Sequence, residues 1–409
     1  MNWNDFCIGF CVNKEGELFF AKKNEMTVLQ CSFANGMIDV AFTYDFRMDA
    51  PLHVRGKAKL GDTVQVHILP YRIELYVEQE LLDEEWPFGN LLLPEAVVTA
   101  NGADLVFTDW NEAEKEEPCV SGVFQNAETW SPGKNVFVGD CMPYCYQDTY
   151  HVLYLKDRHH HGSKWGLGAH QWSHVSTKDF INWEIHPMAV AVDRPKEGSI
   201  CTGSWIFDEK KHYLFYTVRM CDGSPAEVCR SVSEDGYHFE KDRAFCFVLS
   251  EKYTAPSARD PKVVKDADGI YHMFLTSSIR ESGLGCLVHL TSTDLDVWTE
   301  LEEPIYIAPA GKGEPECPDY FYKDGYYYLI YSLHGKAYYQ YSKEPFTAWQ
   351  VPADPIIPCK TVPKGAIWRD RLIFTGYNAD NVYAGTMAFL EAVVQEDGQL
   401  EYLSAMKPF

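Results

Sequence analysis

Polar and apolar residues alternate through the first hundred positions. "MIDVAFTYDF" (37–46), "TVQVHIL" (63–69) and "RIELYVEQELL" (72–82) each place an apolar side chain at every second residue, with turn residues between them. A period of two predicts half-buried antiparallel strands. Residues 1–110 therefore read as a β-sandwich of jelly-roll type, with "IELYVEQELLDEEWPFG" (73–89) as two strands around a turn. The acidic stretch "WNEAEKEEP" (110–118) reads as a linker or exposed loop.

Beyond it the pattern repeats. A short aromatic-aliphatic strand recurs as "YHVLYL" (150–155), "HYLFYT" (212–217), "YHMFLT" (271–276), "YYLIYS" (327–332) and "RLIFTG" (371–376). A second motif follows the first four of these: "STKDFINW" (176–183), "SVSEDGYHF" (231–239), "TSTDLDVW" (291–298) and "YSKEPFTAW" (341–349). Each has a hydroxyl residue, then an acid, then an aromatic, which suits a turn closed by an aromatic plug. Five strand-built repeats predict a five-bladed β-propeller over 119–409, so the fold class is all-β. No long amphipathic helix interrupts the repeats.

Composition narrows the function. The chain has 409 residues, 46% hydrophobic content and a net charge of −23. An acidic chain without a Lys/Arg run lacks the basic patch that nucleic acid or an anionic membrane surface requires. "MNWNDFCIGFCVNKEGE" is no signal peptide, and no apolar run is long enough for a membrane span. The 13 cysteines, odd in number and scattered, read as reduced thiols of a cytoplasmic protein. The C-x3-C pairs Cys7/Cys11 and Cys141/Cys145 lack a second pair at zinc-finger spacing. Neither a cofactor nor a metal is expected.

The repeats also carry acids. Taking His151, Tyr213, His272, Tyr328 and Arg371 as anchors, Asp140 lies 11 residues before its anchor, and Asp260 and Glu316 lie 12 before theirs. A proline follows each within three residues: Pro143, Pro261 and Pro318. The corresponding stretches of the second and fifth repeats, "CTGSW" (201–205) and "CKTVPKG" (359–365), hold no acid. Innermost propeller strands surround one axis, so equivalent positions converge at one end of it. Three carboxylates gathered there, with Arg259 beside them, allow one to hold a proton while another stays ionised. Glycoside cleavage needs that division of labour, and a small oligosaccharide is the expected substrate.

Several stretches resemble glycoside hydrolase family 32, the β-fructofuranosidase, invertase and levanase group. "SARDPKVV" (257–264) is similar to its Arg-Asp-Pro box and "EPECPDYF" (314–321) to its Glu-Cys box. "KWGLGAHQWSHVSTKDFINWEIHPMAV" (164–190), "CTGSWIF" (201–207) and "YAGTMAFLEAVVQEDGQL" (383–400) resemble other parts of its propeller. The first box departs: "GDCMP" (139–143) keeps Asp140, but Gly139 and Cys141 stand where the family has asparagine and proline. The carboxylates thus carry over better than the hydroxyl contacts. The β-sandwich precedes the propeller here, whereas the family commonly places one after it.

The resemblance implies a retaining enzyme with Asp140 as nucleophile, Glu316 as general acid/base and Asp260 as transition-state stabiliser. Substrate-binding candidates are Arg259, Trp165, Trp172, His174, Thr202, Ser204 and Cys317. Trp165, Trp172 and Trp205 would offer a sugar-stacking wall. His174 would shape the pocket at the family's Trp-Gly-His position, and Cys317 would pack beside Glu316. His159, His160 and His161 read as a solvated loop at the propeller mouth or a substrate contact rather than a metal site, since adjacent histidines point apart in extended chain. The N-terminal domain would bind glycan, cap the propeller or mediate a homo-oligomer. Two other readings stay open: an arabinan-type furanosidase, and a non-catalytic carbohydrate-binding propeller.

Overall fold

The computed structural model describes residues 6–45, 47–69, 72–85, 91–93, 95–109, 122–123, 129–132, 136–158, 170–194, 196–379, 383–404 and 406. It is built almost wholly of antiparallel strands, and no helix among the described residues is long and apolar enough to cross a membrane. The chain forms two compact units.

The first unit is a sandwich of two five-stranded sheets. One runs in the order Val106–Asp109, Phe6–Cys11, Thr63–Leu69, Arg72–Val77, Glu80–Glu85, and the other Arg47–Lys57, Met37–Tyr44, Met26–Ala34, Gly16–Lys23, Val97–Ala100. Alternation decides which side chains face inward. Val64, Val66 and Ile68 join Phe6, Ile8 and Phe10 from one sheet, and Val28, Ile38, Val40 and Phe42 from the other, in one buried core. The stretch at 72–82 turns tightly at Glu78 and Gln79, both with positive φ (49° and 67°), between the paired residues Val77 and Glu80. That backbone matches the right-handed twist of the flanking strands.

The second unit is a succession of antiparallel meanders, each starting from an inner strand. The first is Val136–Tyr146, Thr149–Arg158, Gln171–Thr177 and Asn182–Val190. The second is Glu197–Asp208, Lys211–Met220, Glu227–Ser233 and Glu240–Phe247. The third is Arg259–Lys265, Tyr271–Ser278, Gly285–Ser292 and Thr299–Glu300. The fourth is Glu316–Lys323, Tyr326–Leu333, Lys336–Ser342 and Ile356–Ile357, and the last Thr361–Trp368, Arg371–Ala379, Gly385–Val394 and Leu400–Tyr402. The repeated aromatic-aliphatic motif is the second strand of each.

The hydroxyl–acid–aromatic motif is the turn between third and fourth strands. Ser292 Oγ accepts the N–H of Asp294 and of Leu295, while Asp294 Oδ1 accepts those of Asp296 and Val297. Thr177 with Asp179, and Ser233 with Asp235, repeat the arrangement. Trp183 and Trp298 then pack into the meanders as plugs.

Contacts pass from each inner strand to the next. The Gly203 N–H reaches Met142 Sδ at 3.2 Å, and Ser204 Oγ donates to Pro261 O while accepting the Val263 N–H. Lys262 pairs with Asp319 at 2.6 Å, and Asp319 Oδ2 accepts the Gly365 N–H at 2.7 Å. The last meander returns to the first through the Val138–Gly385 pairing and the hydroxyls of Tyr150 and Thr375. A cavity of about 400 Å³ runs between these strands, lined by residues of all five, including Met142, Trp205, Lys262, Asp319 and Lys364. This is the arrangement of a β-propeller around its axis.

Candidate active site

A bulge opens the inner strands where the acids lie. The ladder slips between Val138 and Cys141, Arg259 and Lys262, Glu316 and Asp319, and Thr361 and Lys364. Proline fills the second bulge position in three of these, as Pro261, Pro318 and Pro363, where no ladder N–H is needed. Asp260, Cys317 and Val362, just before those prolines, adopt left-handed φ of 61°, 51° and 46°. Such a bulge bends the strand and re-aims a side chain. The three acids do not occupy one equivalent position. Glu316 enters its bulge, Asp260 is the first residue inside, and Asp140 is the second.

The bulges bring the acids together. Asp140 and Asp260 are buried, 4% and 3% exposed, whereas the Glu316 side chain is 41% exposed. The Cys317 thiol lies between the buried pair, 3.5 Å from Asp260 Oδ2 and 3.9 Å from Asp140 Oδ2. Asp260 also accepts hydrogen bonds from Thr202 Oγ1 at 2.6 Å and from the Cys317 N–H at 3.0 Å. Arg259 spans from Asp260 (3.7 Å) to Glu316 Oε1 (3.1 Å). Its Nη1 reaches Glu314 Oε2 at 2.6 Å. Asp140, Cys317, Asp260, Arg259 and Glu316 thus form one continuous chain of contacts.

Charge and burial set the protonation of the surrounding groups. Burial alone would lower the Arg259 pKa, but Asp260, Glu316 and Glu314 outweigh it and hold the guanidinium above its usual range. Burial raises the Glu314 carboxyl, yet Arg259 and the hydroxyls of Ser278 and Ser257 bring it below its usual value. Burial pushes the Cys317 thiol well up, and Asp260 and Asp140 add to it, so Cys317 stays a weak S–H donor. Tyr377 and Tyr383 are likewise raised by burial and by Asp140, and both phenols remain protonated.

Other expected substrate contacts lie elsewhere. Trp172 is fully buried, with its Nε1 donating to Cys201 O at 2.9 Å and its ring edge-on to Tyr216. It is a core residue and offers no face to a sugar. His174 is also fully buried, among Tyr144, His151 and His186, rather than in the pocket. Both Ser204 bonds go to backbone of the third inner strand, so it joins strands rather than binding substrate. Thr202 reaches the centre as a positioning donor to Asp260. Trp205 lines the axial cavity, stacked on Tyr144 at 4.3 Å. Trp165 and His159–His161 lie outside the described residues.

Two participants were not foreseen. Glu314 stands two residues before Glu316 in "EPEC", and an acid so near an arginine-linked site was its signal. Tyr383 opens the quoted "YAGTMAFL" stretch, but nothing local links it to residue 140. Its Oη accepts the Asp140 N–H at 3.3 Å. A Cβ on Gly139 would sit 2.3 Å from that same oxygen. The phenol thus fills the space that a side chain at position 139 would need, and the glycine of the altered box goes with this tyrosine.

Residues 137–351, more than half of the chain, match the glycosyl hydrolases family 32 N-terminal domain. A sucrose-6-phosphate hydrolase of Bacillus subtilis (strain 168) is 32% identical over 254 residues, covering 58% of this chain and 50% of that enzyme. The sucrose-6-phosphate hydrolase of Escherichia coli is 29% identical over 200 residues, covering 46% of this chain and 40% of that enzyme. The chain spans about half the length of the curated relatives it matches. Among solved structures, fructan 1-exohydrolase IIa from Cichorium intybus superposes with a TM-score of 0.54 at 17% identity, over 70% of this chain and 61% of that one. Sucrose-6-phosphate hydrolase from Lactobacillus gasseri gives 0.52 at 17%, over 65% and 60%. At such identities the superpositions speak to the fold, while the sequence match speaks to ancestry. The chain belongs to glycosyl hydrolase family 32.

Proposed function

We propose that this protein is a retaining glycoside hydrolase that cleaves β-fructosides, sucrose or short fructo-oligosaccharides among them. The observation that carries this reading is the contact chain from Asp140 through Cys317, Asp260 and Arg259 to Glu316. It joins two buried carboxylates to a third that is open to solvent, around one guanidinium.

In this mechanism Asp140 attacks the anomeric carbon of the fructosyl unit while Glu316 protonates the departing glycosidic oxygen. The covalent fructosyl–Asp140 ester then loses its sugar to a water that Glu316 deprotonates. Asp260, held by Thr202 and the Cys317 N–H, accepts hydroxyls of the ring as positive charge develops. Arg259 keeps Asp260 and Glu316 at fixed separation. Retention calls for Asp140 and Glu316 carboxyls about 5–5.5 Å apart in the substrate complex. The relatives named for sucrose 6-phosphate make that ester a substrate to try. The scattered, odd-numbered cysteines fit a reducing, cytoplasmic setting.

The test is product analysis with sucrose, sucrose 6-phosphate, 1-kestose and nitrophenyl arabinofuranoside, comparing wild type with Asp140→Asn. Fructose release by wild type alone is expected. Release of arabinose in place of fructose would move the assignment to an arabinan-type furanosidase. Sugar binding without any turnover would make the propeller a binding module.

A further inference from the structure

The first meander carries a cluster that this chemistry does not use. His151, His174 and His186 come from its second, third and fourth strands. His174 and His186 are direct cross-strand partners, and His151 sits one diagonal step away, opposite Ser176. All three are buried, at 3%, 0% and 8% exposure. One ring nitrogen from each lies within 4.8 Å of the other two. His151 Nδ1 is 3.0 Å from His174 Nε2, and Tyr144 Oη is 3.2 Å from that same nitrogen. His186 Nε2 meets Ser176 Oγ at 2.7 Å. His174 Nδ1 is buried and makes no hydrogen bond with any described residue.

The third meander supplies an internal comparison. His272 and His289 occupy the matching diagonal, their Nδ1 and Nε2 2.8 Å apart. There His272 also bonds Asp266 at 3.1 Å and stacks on Phe346 at 3.9 Å. The fourth-strand place facing His289 is taken by Leu301, whose N–H bonds the His289 carbonyl. Two imidazoles, a carboxylate and an aromatic lid therefore satisfy the packing of such a meander. The fold does not require a third imidazole, yet the first meander provides one in His186.

We propose that His151, His174 and His186 form a binding site for one divalent transition-metal ion of the zinc class, with Tyr144 Oη nearest to a fourth position. Zinc takes imidazole nitrogens at about 2.0–2.1 Å in tetrahedral geometry, and small χ changes bring three donors so spaced onto one ion. Imidazole donors favour zinc, copper or nickel over magnesium or calcium. Burial holds His151 down at about 3, with His186 and His212 adding to it, and keeps His174 and His186 below their usual values. The neutral rings are the ligating form. Tyr237 of the second meander, 37% exposed, lies over His174 and His186, so its displacement opens a path for the ion. The site shares no residue with the carboxylate centre. Its role is structural, tying three strands of the first meander together.

The experiment strips the full chain with a chelator, verifies its fold by circular dichroism, and titrates Zn²⁺ by calorimetry with elemental analysis. Wild type is expected to bind one equivalent, to gain thermal stability with added Zn²⁺, and to give intense tetrahedral visible bands with Co²⁺. His186→Leu, which copies Leu301 of the third meander, is expected to fold and lose that stoichiometric binding. His186→Gln, which keeps a polar group beside Ser176, is read in the same way. The proposal is overturned if folded, stripped wild type takes up no stoichiometric Zn²⁺, or if both variants bind it as wild type does. Neither readout depends on turnover, so the fructoside reading stands or falls separately.

Discussion

Glu314→Gln probes how a neighbouring charge acts on Glu316, the proposed acid. Glu314 and Glu316 grip one guanidinium at 2.6 and 3.1 Å, which sets their carboxylates roughly 6 Å apart across the fork of Arg259. Two like charges at that separation repel by roughly 2–3 kcal/mol at an effective dielectric near 20. Removing the Glu314 charge relieves this repulsion and leaves Arg259 to Glu316 and Asp260. Both changes favour ionised Glu316. At about 1.4 kcal/mol per pH unit the unscreened effect is roughly two units. The Glu316 side chain is 41% exposed, so solvent screening reduces this to about one unit. The assay is kcat/KM for sucrose, or for whichever fructoside turns over, across pH 4–9. The basic limb is expected to move down by about one unit, with the plateau below it reduced less than about tenfold. A basic limb that stays in place, or moves up, refutes the idea that Glu314 tunes Glu316 through Arg259.

Thr202→Val removes a donor to a buried carboxylate without changing volume. It should cost about 1.5–3 kcal/mol of transition-state stabilisation, a roughly 10- to 150-fold fall in kcat/KM, with the fold retained by circular dichroism. Gly139→Asn, which restores the family's usual residue, should abolish activity because its Cβ meets Tyr383 Oη; pairing it with Tyr383→Gly should recover soluble protein and part of the turnover. Trp172→Ala should lower unfolding free energy by about 3–5 kcal/mol in denaturant titration, as expected of a buried ring rather than a sugar platform. The folded protein depresses the Glu314 carboxyl, so its contribution to stability is present above about pH 4.3 and disappears as pH falls through the depressed value; Glu314→Gln should flatten acid unfolding in that range.

The repeat was legible because its causes are local. The second strands announce themselves by aromatic-aliphatic runs, and the Ser-x-Asp turns by side chains that bond their own backbone. The three acids could be picked out because each precedes a proline near a strand start. The bulge that gathers them could not be read. It is a slip between two strands, visible only once Arg259 pairs with Thr276 and Lys262 with Phe274. Orientation explains the misplaced residues. Trp172 and His174 lie two residues apart on a strand paired on both sides, and both rings pack toward the second meander, a covering that the sequence does not reveal. Tyr383 lies 243 residues from the backbone N–H that it accepts. His151 and His186 appear in quoted motifs as an anchor and as part of a strand, and only the register of three strands turns them into a cluster with His174.

The most direct test is to trap the intermediate. Glu316→Gln, incubated with an activated fructosyl donor whose leaving group needs no protonation, should accumulate a fructosyl ester, since the base that admits water is gone. Peptide mass spectrometry is expected to locate that ester on Asp140, with none formed in Asp140→Asn/Glu316→Gln. A fructosyl group found on another side chain, or turnover by Asp140→Asn at the wild-type rate, would contradict the assignment of Asp140, Asp260 and Glu316 to one catalytic centre.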